Sequence, residues 1–158
     1  MTGRRDALRA DRRYRMRIAD ILRNKGSAVH TVEPDTTVCE LIGDFARFNI
    51  GAMVVCEGKS VAGIVTERDV VRALHERGPS ILAAPAHELM SRTVTTCLPT
   101  DSVDSLAETM TEQRIRHLPV VVDAQLVGIV SIGDVVKSRI DELQTERDQL
   151  ASYIHDGG

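Results

Sequence analysis

The chain contains itself twice. Gly63-Ile64-Val65-Thr66-Glu67-Arg68-Asp69-Val70-Val71 returns as Gly128-Ile129-Val130-Ser131-Ile132-Gly133-Asp134-Val135-Val136. The offset is 65 residues, and it holds without a gap back to Val29 and Val94. Across those 43 aligned positions 13 residues are identical, where unrelated segments would share about three at ordinary residue usage. Pro34/Pro99, Val38/Val103, Leu41/Leu106, Ile50/Ile115 and Val55/Val120 fall in register. The period is too long for a solenoid. It predicts two similar units related by a pseudo-two-fold axis, and two similar sites.

Each copy reads as β-α-β-β-α. Ile18 to Leu22 is a short helical lead-in. Val29 to Val32 is a short strand ended by Glu33-Pro34-Asp35. Val38, Leu41, Ile42, Phe45 and Phe48 then recur at the three- and four-residue spacing of one helix face. Ala52 to Cys56 and Val61 to Val65 are apolar strands joined by a hairpin turn at Glu57-Gly58-Lys59-Ser60. A helix from Glu67 to Arg77 stops at Gly78-Pro79. The second copy repeats the order: lead-in His87 to Met90, strand Val94 to Cys97, a helix face of Val103, Leu106, Ala107 and Met110, then a hairpin of Leu118 to Val122 and Leu126 to Val130. Its last helix has no early stop, because neither Gly nor Pro occurs from Asp134 to Asp156.

The resulting organisation is a basic, flexible arm over 1–15, a first unit over 16–78, a linker over 79–85, a second unit over 86–140 and a helical extension over 141–158. The fold class is α/β, with two packed units and a long C-terminal helix. Leu143, Leu150, Tyr153 and Ile154 lie beyond the core of the second unit, so the extension is expected to bury them in a homodimer or against the first unit.

Composition narrows the function. The net charge of −3 hides an asymmetry. Residues 1–15 hold six arginines and two aspartates, which leaves −7 on the rest. The arm invites a nucleic-acid reading, but the acidic body and 3 % aromatics speak against base stacking. Three cysteines without paired spacing point to a reducing, cytoplasmic setting. No apolar run approaches a membrane span and no secretory signal is visible. The five histidines lack metal-ligand spacing, and neither a nucleophile–base set nor a Gly-rich phosphate loop is recognisable.

The sharpest local signal is Thr66-x-x-Asp69 with its copy Ser131-x-x-Asp134, each at a strand-to-helix junction. A capping box explains it structurally. A phosphate and ribose site explains it functionally: the helix start offers amides and a positive dipole to an anion, and a carboxylate one turn on can accept a ribose diol. Arg114-Ile115-Arg116-His117 leads into a buried strand and is either a phosphate clamp or an exposed helix end. The first copy has Asn49-Ile50-Gly51-Ala52 there, without charge. Lys25-Gly26 is either a cationic loop of the site or a surface turn.

The duplicated Gly-Ile-Val-[Thr/Ser]-x-x-Asp ending and the His117-Leu118-Pro119-Val120 run resemble a tandem cystathionine-β-synthase (CBS) domain pair of the small stand-alone bacterial type, over about residues 16–140. That resemblance implies adenosyl ligands, namely AMP, ADP, ATP, NAD or S-adenosylmethionine, in clefts between the halves. It assigns ribose to Asp69 and Asp134, phosphate to Thr66, Ser131, His117 and its neighbour Arg116, adenine to the backbone of His30 and Thr95, and cleft walls to Ala52 and Pro119. Because the first copy lacks the basic pair, phosphate there would call on Lys25, Arg68 or the other half. The function it implies is a non-catalytic regulatory or energy-sensing module, forming a homodimer and read by an unidentified partner protein. No cofactor is required and no metal is implied. The alternatives are a nucleic-acid-binding regulator using the arm and a small nucleotide-acting enzyme.

Overall fold

A computed structural model describes residues 15–156; the basic arm, apart from Arg15, lies outside the described residues. Among these the chain forms five α-helices and five strands: α1 (Ile18–Lys25), β1 (Thr31–Val32), α2 (Val38–Phe48), β2 (Ala52–Glu57), β3 (Ser60–Thr66), α3 (Glu67–Arg77), α4 (Val103–Gln113), β4 (His117–Val122), β5 (Gln125–Ser131) and α5 (Ile132–Asp156). The mixed α/β class is as expected, and the 65-residue offset reappears in the starts of α2 and α4, β2 and β4, β3 and β5, and α3 and α5.

Local chemistry explains the correspondence. Thr37 caps α2 and Ser102 caps α4, each hydroxyl accepting the amide three residues on. Asn49 and Arg114 end those helices in the left-handed region, at φ 51° and 54°. The hairpins turn on Gly58, at φ 62°, and on Asp123-Ala124, at φ 51° and 61°. Positive φ at the tip is what a two-residue hairpin turn requires.

The chain divides into two compact units that do not follow the sequence halves. One gathers Ser27–Leu98 with His117–Ile129. The other gathers the described residues up to Gly26 with Pro99–Arg116 and Val130 onward.

In the first of these units, the sheet order is β1-β2-β3. β1 pairs parallel to β2, Thr31 opposite Val54, and β2 pairs antiparallel to β3. Val38, Leu41, Phe45, Met53, Val55 and Val65 form its core. Residues 79–85 contribute a 3₁₀ turn, Pro79–Ala83, whose Ile81 is fully buried. The Ala84 carbonyl accepts the amide of Val38 at 2.9 Å, so this stretch also supports the start of α2. β4 and β5 make a separate two-stranded sheet.

The expected strand Val94–Cys97 does not form. Only Cys97 bridges Val120: its amide donates to the Pro119 carbonyl, and its carbonyl accepts from Val121, both at 3.0 Å. Pro119 stands where β2 has Val54. It lacks an N–H, so a ladder cannot continue past it toward Thr95. The lead-in at His87–Met90 is a single 3₁₀ turn, Ala86–Glu88.

In the other unit, α1 docks through its own unpaired helix-start amides. Ile18 donates to the Asp101 carbonyl at 3.0 Å and Ala19 to the Pro99 carbonyl at 2.9 Å. The Met16 carbonyl in turn accepts from Val103 at 3.0 Å, the first residue of α4. These bonds satisfy orphan donors at two helix starts at once. Ile18, Ile21, Val103, Leu106, Met110, Val130 and Val135 are buried there. Arg139 of α5 reaches Asp104 of α4 at 2.7 Å.

Candidate functional site

Each unit carries one strand-to-helix junction of the duplicated motif. In the first, Asp69 folds back on Thr66. Its Oδ2 accepts from the Thr66 amide at 2.8 Å and from the Thr66 hydroxyl at 2.9 Å, while Thr66 Oγ1 accepts the Asp69 amide at 3.3 Å. The capping box is therefore formed in full. In the other, Asp134 Oδ2 accepts the Ser131 amide at 2.8 Å, and Ser131 Oγ accepts the Asp134 amide at 3.2 Å.

The two junctions differ in what surrounds them. Lys25, the last residue of α1, donates to Asp134 Oδ2 at 2.6 Å. The side chains of this ion pair are 31 % and 21 % exposed, so it is more shielded than a surface pair. Burial alone would raise the Asp134 pKa. The bond and charge of Lys25, with the Ser131 bonds, outweigh burial and hold it below the ordinary aspartate value. Among the described residues the hydrogen bonds to both aspartates fall on Oδ2, and Oδ1 accepts none of them. One oxygen of each cap thus remains available to a ligand hydroxyl.

The expected site residues separate by unit. Lys25, Arg116, Ser131 and Asp134 belong to one. His30, Ala52, Thr66, Arg68, Asp69, Thr95, His117 and Pro119 belong to the other. Lys25 is therefore held at the second copy of the motif. Arg116 is exposed, and its carbonyl accepts the Ile132 amide at 2.8 Å, which ties the start of β4 to the start of α5. His117, its sequence neighbour, goes with the first copy. A methyl group placed on Gly51 would lie 4.0 Å from His117 Cε1 and 3.4 Å from Glu67 Oε2. Ala52 is buried at the start of β2, Arg68 is exposed on the second residue of α3, and Pro119 is fully buried in β4. His30 stacks on Phe48, with ring centroids 3.8 Å apart. Thr95 is half-buried in an irregular segment.

Glu67 borders the first junction as well, although the capping pattern alone does not single it out. Its signal was present in the aligned copies, where a carboxylate stands opposite Ile132 at the first helical residue. A cavity of about 490 Å³ opens near Glu57, Gly58, His87 and Arg92, at the hairpin end of β2 and β3. None of the expected site residues lines it. Among the described residues no three His, Cys, Asp or Glu side chains form a metal-binding group, and no helix is long and apolar enough to cross a membrane.

Duplicated α-β-β-α units, each with a capped [Thr/Ser]-x-x-Asp junction, define a tandem domain, and comparison with known proteins gives its family. The CBS domain model matches residues 18–76 and 86–141. The chain belongs to the CBS domain family and carries the domain twice. The mitochondrial CBS domain-containing protein CBSX3 of Arabidopsis thaliana is 34 % identical over 149 residues, covering 89 % of this chain and 72 % of that protein. The crystal structure of the CBS-domain containing protein ATU1752 from Agrobacterium tumefaciens superposes with a TM-score of 0.76 at 41 % identity, covering 78 % of this chain and 99 % of that one. PAE2072 from Pyrobaculum aerophilum, solved in complex with AMP, gives a TM-score of 0.66 at 30 % identity, covering 75 % and 89 % of the two chains.

Proposed function

We propose that the protein is a non-catalytic regulatory module that binds adenosyl nucleotides at the two [Thr/Ser]-x-x-Asp junctions and passes occupancy to an oligomeric state or a partner protein. The observation that carries this reading is the uncommitted Oδ1 of Asp69 and Asp134. Each carboxylate caps its helix through one oxygen and keeps the other for a ribose hydroxyl. The AMP held by PAE2072 supports the ligand class. One site comprises Asp134, Ser131, Lys25 and Arg116; the other comprises Asp69, Thr66, Arg68, Ala52 and His117. The backbone of His30 and Thr95 serves adenine, and Pro119 shapes a wall. A ligand raises the stability of the state that binds it by mass action. A thermal-shift panel of AMP, ADP, ATP, NAD and S-adenosylmethionine tests the reading, and no shift with any of them refutes it.

The working form is a homodimer in the cytoplasm. Leu143, Leu150, Tyr153 and Ile154 of α5 are 65 %, 65 %, 80 % and 77 % exposed in the single chain. Four large apolar side chains on one exposed helix mark an interaction surface.

A further inference from the structure

We propose that the two sites select ligands of opposite charge: the Asp134 site takes a phosphorylated adenosine nucleotide, and the Asp69 site takes an adenosyl ligand whose 5′ substituent is neutral or cationic. This rests on the nucleotide-binding reading above and adds the ligand class of each site.

The two junctions share one backbone and differ in side-chain charge. The Glu67 amide donates to the Gly51 carbonyl at 3.1 Å, as the Ile132 amide donates to that of Arg116 at 2.8 Å. At these matched positions the second copy has Arg116 and Ile132, whereas the first has Gly51 and Glu67. The space that a side chain at Gly51 would fill has the Glu67 carboxylate on its border, 3.4 Å from the position of a Cβ. Among the described residues Glu67 forms no ion pair. A phosphate seated at this helix start would meet two carboxylates, Glu67 and Asp69, with Arg68 the one permanent cation of the segment and the His117 ring on the same border. Glu67 is exposed and Asp69 half-buried, and both carboxylates repel a phosphate brought to this helix start. At the second copy the corresponding residue is the neutral Ile132. Lys25 is already in place at 2.6 Å from Asp134, and Arg116 stands at the strand start. A ribose that donates hydrogen bonds to Asp134 leaves the Lys25 ammonium to meet an anionic 5′ group. The dipole of the helix start favours an anion at both junctions, so the side chains decide the difference.

Calorimetry on the full chain separates the sites. Asp69→Ala leaves the Asp134 site and Asp134→Ala leaves the Asp69 site, with Asp→Asn variants replacing any that circular dichroism shows to be unfolded. AMP, adenosine and S-adenosylmethionine are the probes. With Asp69→Ala, AMP should bind at least about tenfold tighter than adenosine, and adding Lys25→Met should abolish that preference, since one charge-assisted bond is worth about that factor. With Asp134→Ala, adenosine or S-adenosylmethionine should bind at least as tightly as AMP, and adding Glu67→Gln should raise AMP affinity severalfold while sparing adenosine. The same AMP-to-adenosine ratio at both sites, or no response to Glu67→Gln, overturns the inference and leaves nucleotide binding intact. No binding of any probe to the parent chain overturns both.

Discussion

Lys25 and Asp134 stand 109 positions apart in sequence and meet at 2.6 Å. The helix-start bonds from Ile18 and Ala19 to the 99–101 segment bring α1 to this unit, and the last residue of α1 reaches the motif carboxylate. The pair makes the second junction electrostatically distinct before any ligand arrives.

Removing that ammonium should raise the Asp134 pKa. Burial pulls it up, and Lys25 supplies two of the opposing contributions. In Lys25→Met the carboxyl should titrate at higher pH, as read by NMR of the side-chain carboxyl. The sign for stability follows from a folded pKa below the unfolded one, about 3.9. The stabilisation is present above that value and fades as pH falls through the lowered folded value. The parent should exceed the variant by about 1 kcal/mol at pH 7, with the gap closing in acid below pH ~4. An unmoved Asp134 titration would show that Lys25 exerts no hold on it.

Asp69→Ala and Asp134→Ala should each remove one site. Loss of charge-assisted bonds to a ribose diol corresponds to about 2–4 kcal/mol of affinity. Loss of the capping interaction should cost about 1 kcal/mol of stability besides. Calorimetry with adenosine, the uncharged probe, should give half the parent stoichiometry for each variant. Full stoichiometry at unchanged affinity would confine both aspartates to capping.

Truncation after Ile140 should weaken self-association. Burying a large aliphatic side chain contributes about 1.5–3 kcal/mol, and this cut removes Leu143, Leu150, Tyr153 and Ile154. Light scattering at micromolar concentration should show the dimer population fall. A dimer of undiminished strength would place the interface elsewhere on the two domains.

Gly63→Ala should destabilise the first unit. A Cβ there would lie 2.6 Å from Met90 Sδ and 2.8 Å from the Ser91 carbonyl oxygen. The sulfur can shift, but that carbonyl accepts the Ile64 amide at 3.0 Å and is fixed. Overpacking of this kind costs about 1–3 kcal/mol. Denaturant unfolding should show a lower midpoint at the same slope, whereas a parental midpoint would mean that the 90–91 segment yields freely.

The sequence by itself determined the repeating elements. Caps such as Thr37 with Glu40, Thr66 with Asp69 and Ser131 with Asp134 join residues three apart, and helix faces and hairpin turns are equally local, so residue order alone specifies them. The candidate carboxylates were legible for the same reason. Tertiary structure decided which cations accompany them. Sequence order makes Arg116 and His117 one basic pair, but the fold gives Arg116 to the Asp134 unit and sets His117 beside Gly51 and Glu67. It brings Lys25 to the second copy of the motif, and it reduces Val94–Cys97 to a single bridge beside Pro119. These outcomes depend on which helix-start amides and strand carbonyls find partners across long stretches of chain. Such pairings depend on the packed whole, and local pattern carries no record of them.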